Sequence, residues 1–220
     1  MHETHDWRAE IWNALSHGAG FLASLAAGAV LLTLVAQRGD GRALAATIVY
    51  VLSLIAVYAA STLYHGIPHL ATKRKMKIVD HCAIFLLIAG TYTPFTLLAL
   101  EPRVGWWLFG IAWTIAAIGI TLKLFYTGRF KRASTIAYLA MGWLAVVAIK
   151  PFLETVPAAT LGWLLAGGLA YSLGTVFYMS DRRHAHAVWH GFVLAGSACH
   201  FVAVAMQVLG FDGPTLLERL

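Results

Sequence analysis

Leu44-Ala-Ala-Thr-Ile-Val-Tyr-Val-Leu-Ser-Leu-Ile-Ala-Val-Tyr-Ala-Ala-Ser-Thr-Leu-Tyr-His65 runs its whole length without an Asp, Glu, Lys or Arg. As a helix rising 1.5 Å per residue, such a stretch is about 33 Å long, enough to cross a hydrocarbon core of roughly 30 Å. Six further apolar runs lie around it, at about 14–36, 78–100, 104–125, 134–150, 157–179 and 187–210. The fifth is the shortest, and its end at Lys150-Pro151 reads as a membrane boundary made by a snorkelling lysine and a helix stop. The connections are short, so residues 1–220 read as a single all-α domain, a seven-transmembrane helix bundle.

Composition points the same way. Of the 220 residues, 60% are hydrophobic and only 12% charged, and mean hydropathy is +0.72. A soluble domain carries roughly twice that share of charge. The net charge of +6 does not argue for nucleic acid, because the Lys and Arg residues sit between apolar runs, where they set topology. Cys82 and Cys199 each lie inside an apolar run, and nothing supports a disulfide between them. Met1 to Glu10 lacks a basic leader region, so the first span is expected to act as its own insertion signal.

Orientation follows from the basic residues. With seven spans, Arg8, the Lys73–Lys77 cluster, the Lys123–Arg132 cluster and Arg182-Arg183 share one side. Arg38, Arg42, Arg103, Lys150 and Arg219 share the other. Eleven against five predicts a cytoplasmic N-terminus and a C-terminus outside. Gly20, Ser24 and Gly28 form a small-residue stripe suited to close helix packing. Pro94 is expected to kink the third span, with a threonine satisfying the freed carbonyl. Trp106 and Trp107 read as interfacial anchors.

Four polar clusters interrupt the apolar runs, and the topology gathers all of them at the cytoplasmic end. Glu10, Asn13 and His17 fall on one stripe of the first helix beside Ser16, which argues for an inward-facing network. Ser61 and His65 share a face at the end of the second span, with His69 nearer water. Asp80 and His81 open the third; an intramembrane carboxylate should face a cation or a water-filled cavity, although Lys77 is a simple alternative partner. His186 and His190 lie one turn apart at the mouth of the last span, in register to bind one metal ion. His184 points away among arginines, and His200 reads as a hydrogen-bonded core histidine. His65, His186 and His190 would make a three-nitrogen site with an open fourth position, for which zinc is the favoured metal. Asp80 would balance its charge, and Ser61 is placed to meet a developing oxyanion.

Glu10-x-x-Asn13-x-x-Ser16-His17, Ser61-x-x-x-His65, Asp80-His81 and His186-x-x-x-His190 together resemble the motifs of the hemolysin III family. These are bacterial relatives of the progestin and adiponectin receptors, in a superfamily that includes the alkaline ceramidases. The resemblance covers nearly the whole chain. It implies a seven-helix bundle in the bacterial inner membrane and a Zn2+ ion held by His65, His186 and His190 near the cytoplasmic face. It also implies that Asp80 reaches the metal through water and that Ser61 completes the motif.

Two function classes follow. One is a zinc-dependent hydrolase of lipid amides or esters, with a membrane lipid as substrate, Asp80 as proton acceptor and Ser61 assisting the oxyanion. The other is a non-enzymatic protein, either a regulator of membrane homeostasis with structural zinc or a cytolysin. A pore is disfavoured because the polar groups occupy one end only, and a proton- or ion-coupled transporter because charges are missing from the midplane. Oligomeric state is not legible.

Overall fold

The computed structural model describes residues 7–182, 184–211 and 213–219; residues 1–6 and the Arg183 and Arg219 side chains counted for orientation lie outside that description. Among the described residues the chain forms eight α-helices and no strand. They are α1 (Trp7–Ala36), α2 (Gly41–Gly66), α3 (Leu70–Leu98), α4 (Pro102–Tyr126), α5 (Lys131–Gly142), α6 (Ile149–Thr155), α7 (Ala158–Tyr178) and α8 (Ala185–Val208). A 3-10 segment, Leu144–Ala148, joins α5 to α6, and the three together make one span. The result is the expected bundle, with seven segments long and apolar enough to cross a membrane.

Successive helices pack side by side, and α1 closes against α8, with α3 also touching α5 and α8. The most deeply buried helices are α2 and α3. Turn chemistry fixes the reversals. Gly39 turns the chain at φ 73, a left-handed value that favours glycine, and Asp40 then caps α2 by accepting from the Arg42 and Ala43 amides. Glu101 caps α4, with Pro102 in the first turn, where its missing N–H costs nothing. The small-residue stripe acts by contact. A Cβ on Gly20 would come within 2.7 Å of Tyr58 and 2.8 Å of Leu194, and one on Gly28 within 2.5 Å of Val51.

Two boundaries differ from expectation. The helices outrun the apolar stretches: α3 begins at Leu70, so Lys73, Arg74, Lys75 and Lys77 belong to its first turns rather than to a loop. Hydropathy marks membrane depth, whereas Lys and Arg continue a helix well and snorkel from it. Pro151 does not stop a helix either; it lies in the first turn of α6, and the real interruption comes earlier, at Trp143. That break exposes backbone inside the bilayer, and the Tyr92 hydroxyl repairs it from α3. It donates to the Gly142 carbonyl and accepts from the Ala145 amide, both at 2.9 Å.

α3 continues through Pro94. Its threonines 91, 93 and 96 donate to the carbonyls of Leu87, Ala89 and Tyr92, so the carbonyl of Gly90 that Pro94 leaves free is not among those they satisfy. Trp106 and Trp107 are exposed on the first turns of α4. Alternation of the spans brings the start of α1, α3, α5 and α8 and the end of α2, α4 and α7 to one end of the bundle. Among the described residues, the buried lysines, Lys73 and Lys123, both lie at that end. In the opposite half the buried hydroxyls of Thr47, Ser53, Thr91, Thr93 and Thr96 turn back on carbonyls of their own helices.

Candidate metal centre

His65 from α2 meets His186 and His190 from α8, and one ligand nitrogen from each lies within 4.8 Å of the others. The ring centroids are 5.1 Å apart for His65–His186, 5.0 Å for His65–His190 and 4.7 Å for His186–His190. His65 Nε2 and His186 Nε2 face each other at 3.3 Å. Two nitrogens bound at 2.0–2.1 Å to a tetrahedral ion are about 3.3–3.4 Å apart, so this pair already has the spacing of two ligands.

The other ring nitrogens set the tautomers. His65 Nδ1 lies 3.2 Å from Glu10 Oε2; a carboxylate only accepts, so Nδ1 carries the proton and Nε2 offers a lone pair. Ser16 Oγ lies 3.1 Å from His190 Nδ1 and donates its own hydrogen to the Asn13 carbonyl at 3.0 Å. It therefore accepts from His190 Nδ1–H, which again leaves the second nitrogen free. A histidine ligand held through its distal N–H by a carboxylate or hydroxyl is the usual outer-shell arrangement of metal sites. Where two such nitrogens approach this closely, a proton or a cation must lie between them. The three residues can hold one metal ion.

Packing locks the rings. His17 stacks on His190 with centroids 3.5 Å apart and planes 12° from parallel, and Tyr58 stands edge-on to His17 at 5.2 Å. His17 Nδ1 lies 2.6 Å from Ser61 Oγ. The polar stripe of α1 thus faces inward as expected: Glu10 meets His65, Ser16 meets His190 and His17 meets Ser61. Glu10 is anchored in turn by the ammonium of Lys73, which also donates to the Tyr64 carbonyl at 2.9 Å. Sequence reasoning gave Lys73 only a topological role. Its signal was a carboxylate, Glu10, too near the membrane to stay unpaired.

Asp80 sits on α3 with Oδ2 3.4 Å from His81 Nδ1. Lys77 is not within ion-pair distance of it among the described residues. His81 turns toward α5 and α7, where the Tyr178 hydroxyl is 3.5 Å from its Nε2 and the Tyr138 hydroxyl donates to its carbonyl at 2.9 Å. His69 is exposed and caps α3, and His184 is exposed at φ 64. The ring of His200 points to the Leu164 carbonyl at 3.1 Å, away from the cluster.

The sequence matches the profile of a family described as haemolysin-III related over residues 5–201. It is 45% identical to the Hemolysin-3 of Bacillus cereus over 91% of this chain and 92% of that one. Identity to the Hemolysin-3 homolog of Bacillus subtilis (strain 168) is 42%, over 89% of this chain and 92% of that one. The human monocyte to macrophage differentiation factor is 30% identical over 71% of this chain and 67% of its own. No solved structure gives a significant match. The seven apolar helices and the bacterial relatives make this a multi-pass integral protein of the bacterial plasma membrane.

Proposed function

The chain belongs to the haemolysin-III-related family, and from that premise we propose that it is a membrane-embedded zinc protein that hydrolyses a lipid amide or ester. The N-terminus is cytoplasmic in this reading, so the site opens to the inner leaflet. The observation that carries it is the approach of His65 Nε2 and His186 Nε2 at 3.3 Å, with His190 beside them and outer partners that leave lone pairs on His65 and His190. Three neutral imidazoles suit zinc, and three protein ligands leave a coordination position for chemistry.

Bound there, zinc supplies Lewis acidity and activates water at neutral pH. The remaining work belongs to the chain. Asp80, near the start of α3 at the same end of the bundle as the histidines, takes up the proton released on attack. If His17 Nδ1–H donates to Ser61 Oγ, the Ser61 hydroxyl keeps its hydrogen for the substrate carbonyl oxygen as that oxygen gains charge. Glu10 and Ser16 hold His65 and His190 in the ligating tautomer, and Lys73 holds Glu10.

The test has two stages. Purified wild-type protein should carry about one zinc per chain, and His186→Ala should lose most of it. The zinc-loaded protein should then turn over at least one member of a panel of lipid amides and esters, with activity abolished by a chelator, by His190→Ala and by Asp80→Ala. A protein that binds zinc but is inert across the panel sinks the hydrolase reading. A non-enzymatic regulator with structural zinc would then stand, with the Ser61 hydroxyl donating to His17 Nδ1 across their 2.6 Å hydrogen bond and so left with no hydrogen for a substrate.

A further inference from the structure

Lys123 lies in the last turn of α4, and only 6% of it is exposed. Lys73, the other buried ammonium among the described residues, is neutralised by Glu10. Lys123 has no such partner. Its Nζ donates to Ser134 Oγ at 2.7 Å and lies 5.8 Å from the centre of the Tyr138 ring, and both groups are neutral. Three residues before it, the Ile120 carbonyl accepts from the Cys82 thiol of α3 at 3.9 Å, and Lys77 lies five residues before Cys82 on that helix, toward the same end of the bundle. Among the described residues no carboxylate stands within ion-pair distance of Lys123, and Asp80 is turned to His81.

A buried ammonium at the edge of a membrane is costly unless an anion approaches. The chain deepens the imbalance. Arg129, Lys131 and Arg132, all exposed, follow within the α4–α5 turn and the first turn of α5, and the Lys131 ammonium lies 4.8 Å over the Tyr178 ring. Lys123 is thus the inner member of a cationic corner made by α3, α4 and α5, at the depth where a span ends and lipid phosphates begin.

We propose that this corner binds the phosphate of an anionic phospholipid, with Lys123 as its buried contact and Lys77 and Lys131 as its outer ones. The ammonium of Lys123 has donors left after Ser134, and a phosphodiester supplies both the charge and the acceptors. Inorganic phosphate offers the same chemistry, and lipid is preferred because the corner lies where headgroups are held at high local concentration. The inference is independent of the metal centre.

Native mass spectrometry and thermal unfolding of the full chain would test it. The protein is compared in nanodiscs of phosphatidylcholine alone and of phosphatidylcholine with phosphatidylglycerol, and in detergent with added inorganic phosphate. Wild type should retain phosphatidylglycerol and unfold at higher temperature in its presence, and Lys123→Met should weaken that retention about tenfold or more. Lys150→Met, exposed at the opposite end, should leave it unchanged. Stabilisation by inorganic phosphate without retention of phosphatidylglycerol would overturn the lipid assignment. Should Lys123→Met fail to fold, Lys77→Gln and Lys131→Gln read the same retention. Equal retention of phosphatidylglycerol by wild type and by these lysine variants, or none above phosphatidylcholine, overturns the proposal.

Discussion

Glu10 touches no proposed metal position, yet it decides which nitrogen of His65 is free to ligate. Glu10→Gln keeps the shape and removes the charge that fixes the tautomer. Metal affinity should fall about 10- to 100-fold, the usual effect of losing an outer-shell partner, as read by competition with a chromogenic chelator. Lys73→Met should act in the same direction, by freeing Glu10 and leaving it uncompensated. The pairing of His186 with His190 was legible because a helix fixes residues four apart on one face. The bonds from Glu10 to His65 and from Ser16 to His190 were not, because each depends on how α1 docks against α2 or α8. Lys73 was read as a charge in a loop; its burial follows from a helix start that hydropathy does not mark.

At the level of elements, small residues and one phenol carry the packing. Gly20→Leu would drive a side chain into Tyr58 and Leu194, and should cost about 1–3 kcal/mol in reversible unfolding. Gly191→Ala, where nothing stands within 4 Å, should be neutral or slightly stabilising by the same measurement. Tyr92→Phe preserves the ring and removes the oxygen that bridges the broken fifth span. It should cost about 1–3 kcal/mol and raise amide exchange at Ala145. The stripe on α1 could be read in sequence because its spacing is regular. The break at Trp143 could not, since an apolar run shows the same composition whether or not its backbone ladder is continuous.

On the scale of the whole molecule, the seven-span count followed from composition because every span must be apolar for about 30 Å. Sidedness rests on the lysines and arginines. Single cysteines at residues 75 and 103, introduced into a background without Cys82 and Cys199, should react with an impermeant thiol reagent only from the cytoplasm and only from outside, respectively. The half of the bundle away from the histidines carries no buried lysine among its described residues, and its buried hydroxyls are mostly spent on their own helices. A proton or cation drawn to the histidine cluster would therefore find, in that half, no buried carboxylate or lysine among the described residues to hand it across the membrane.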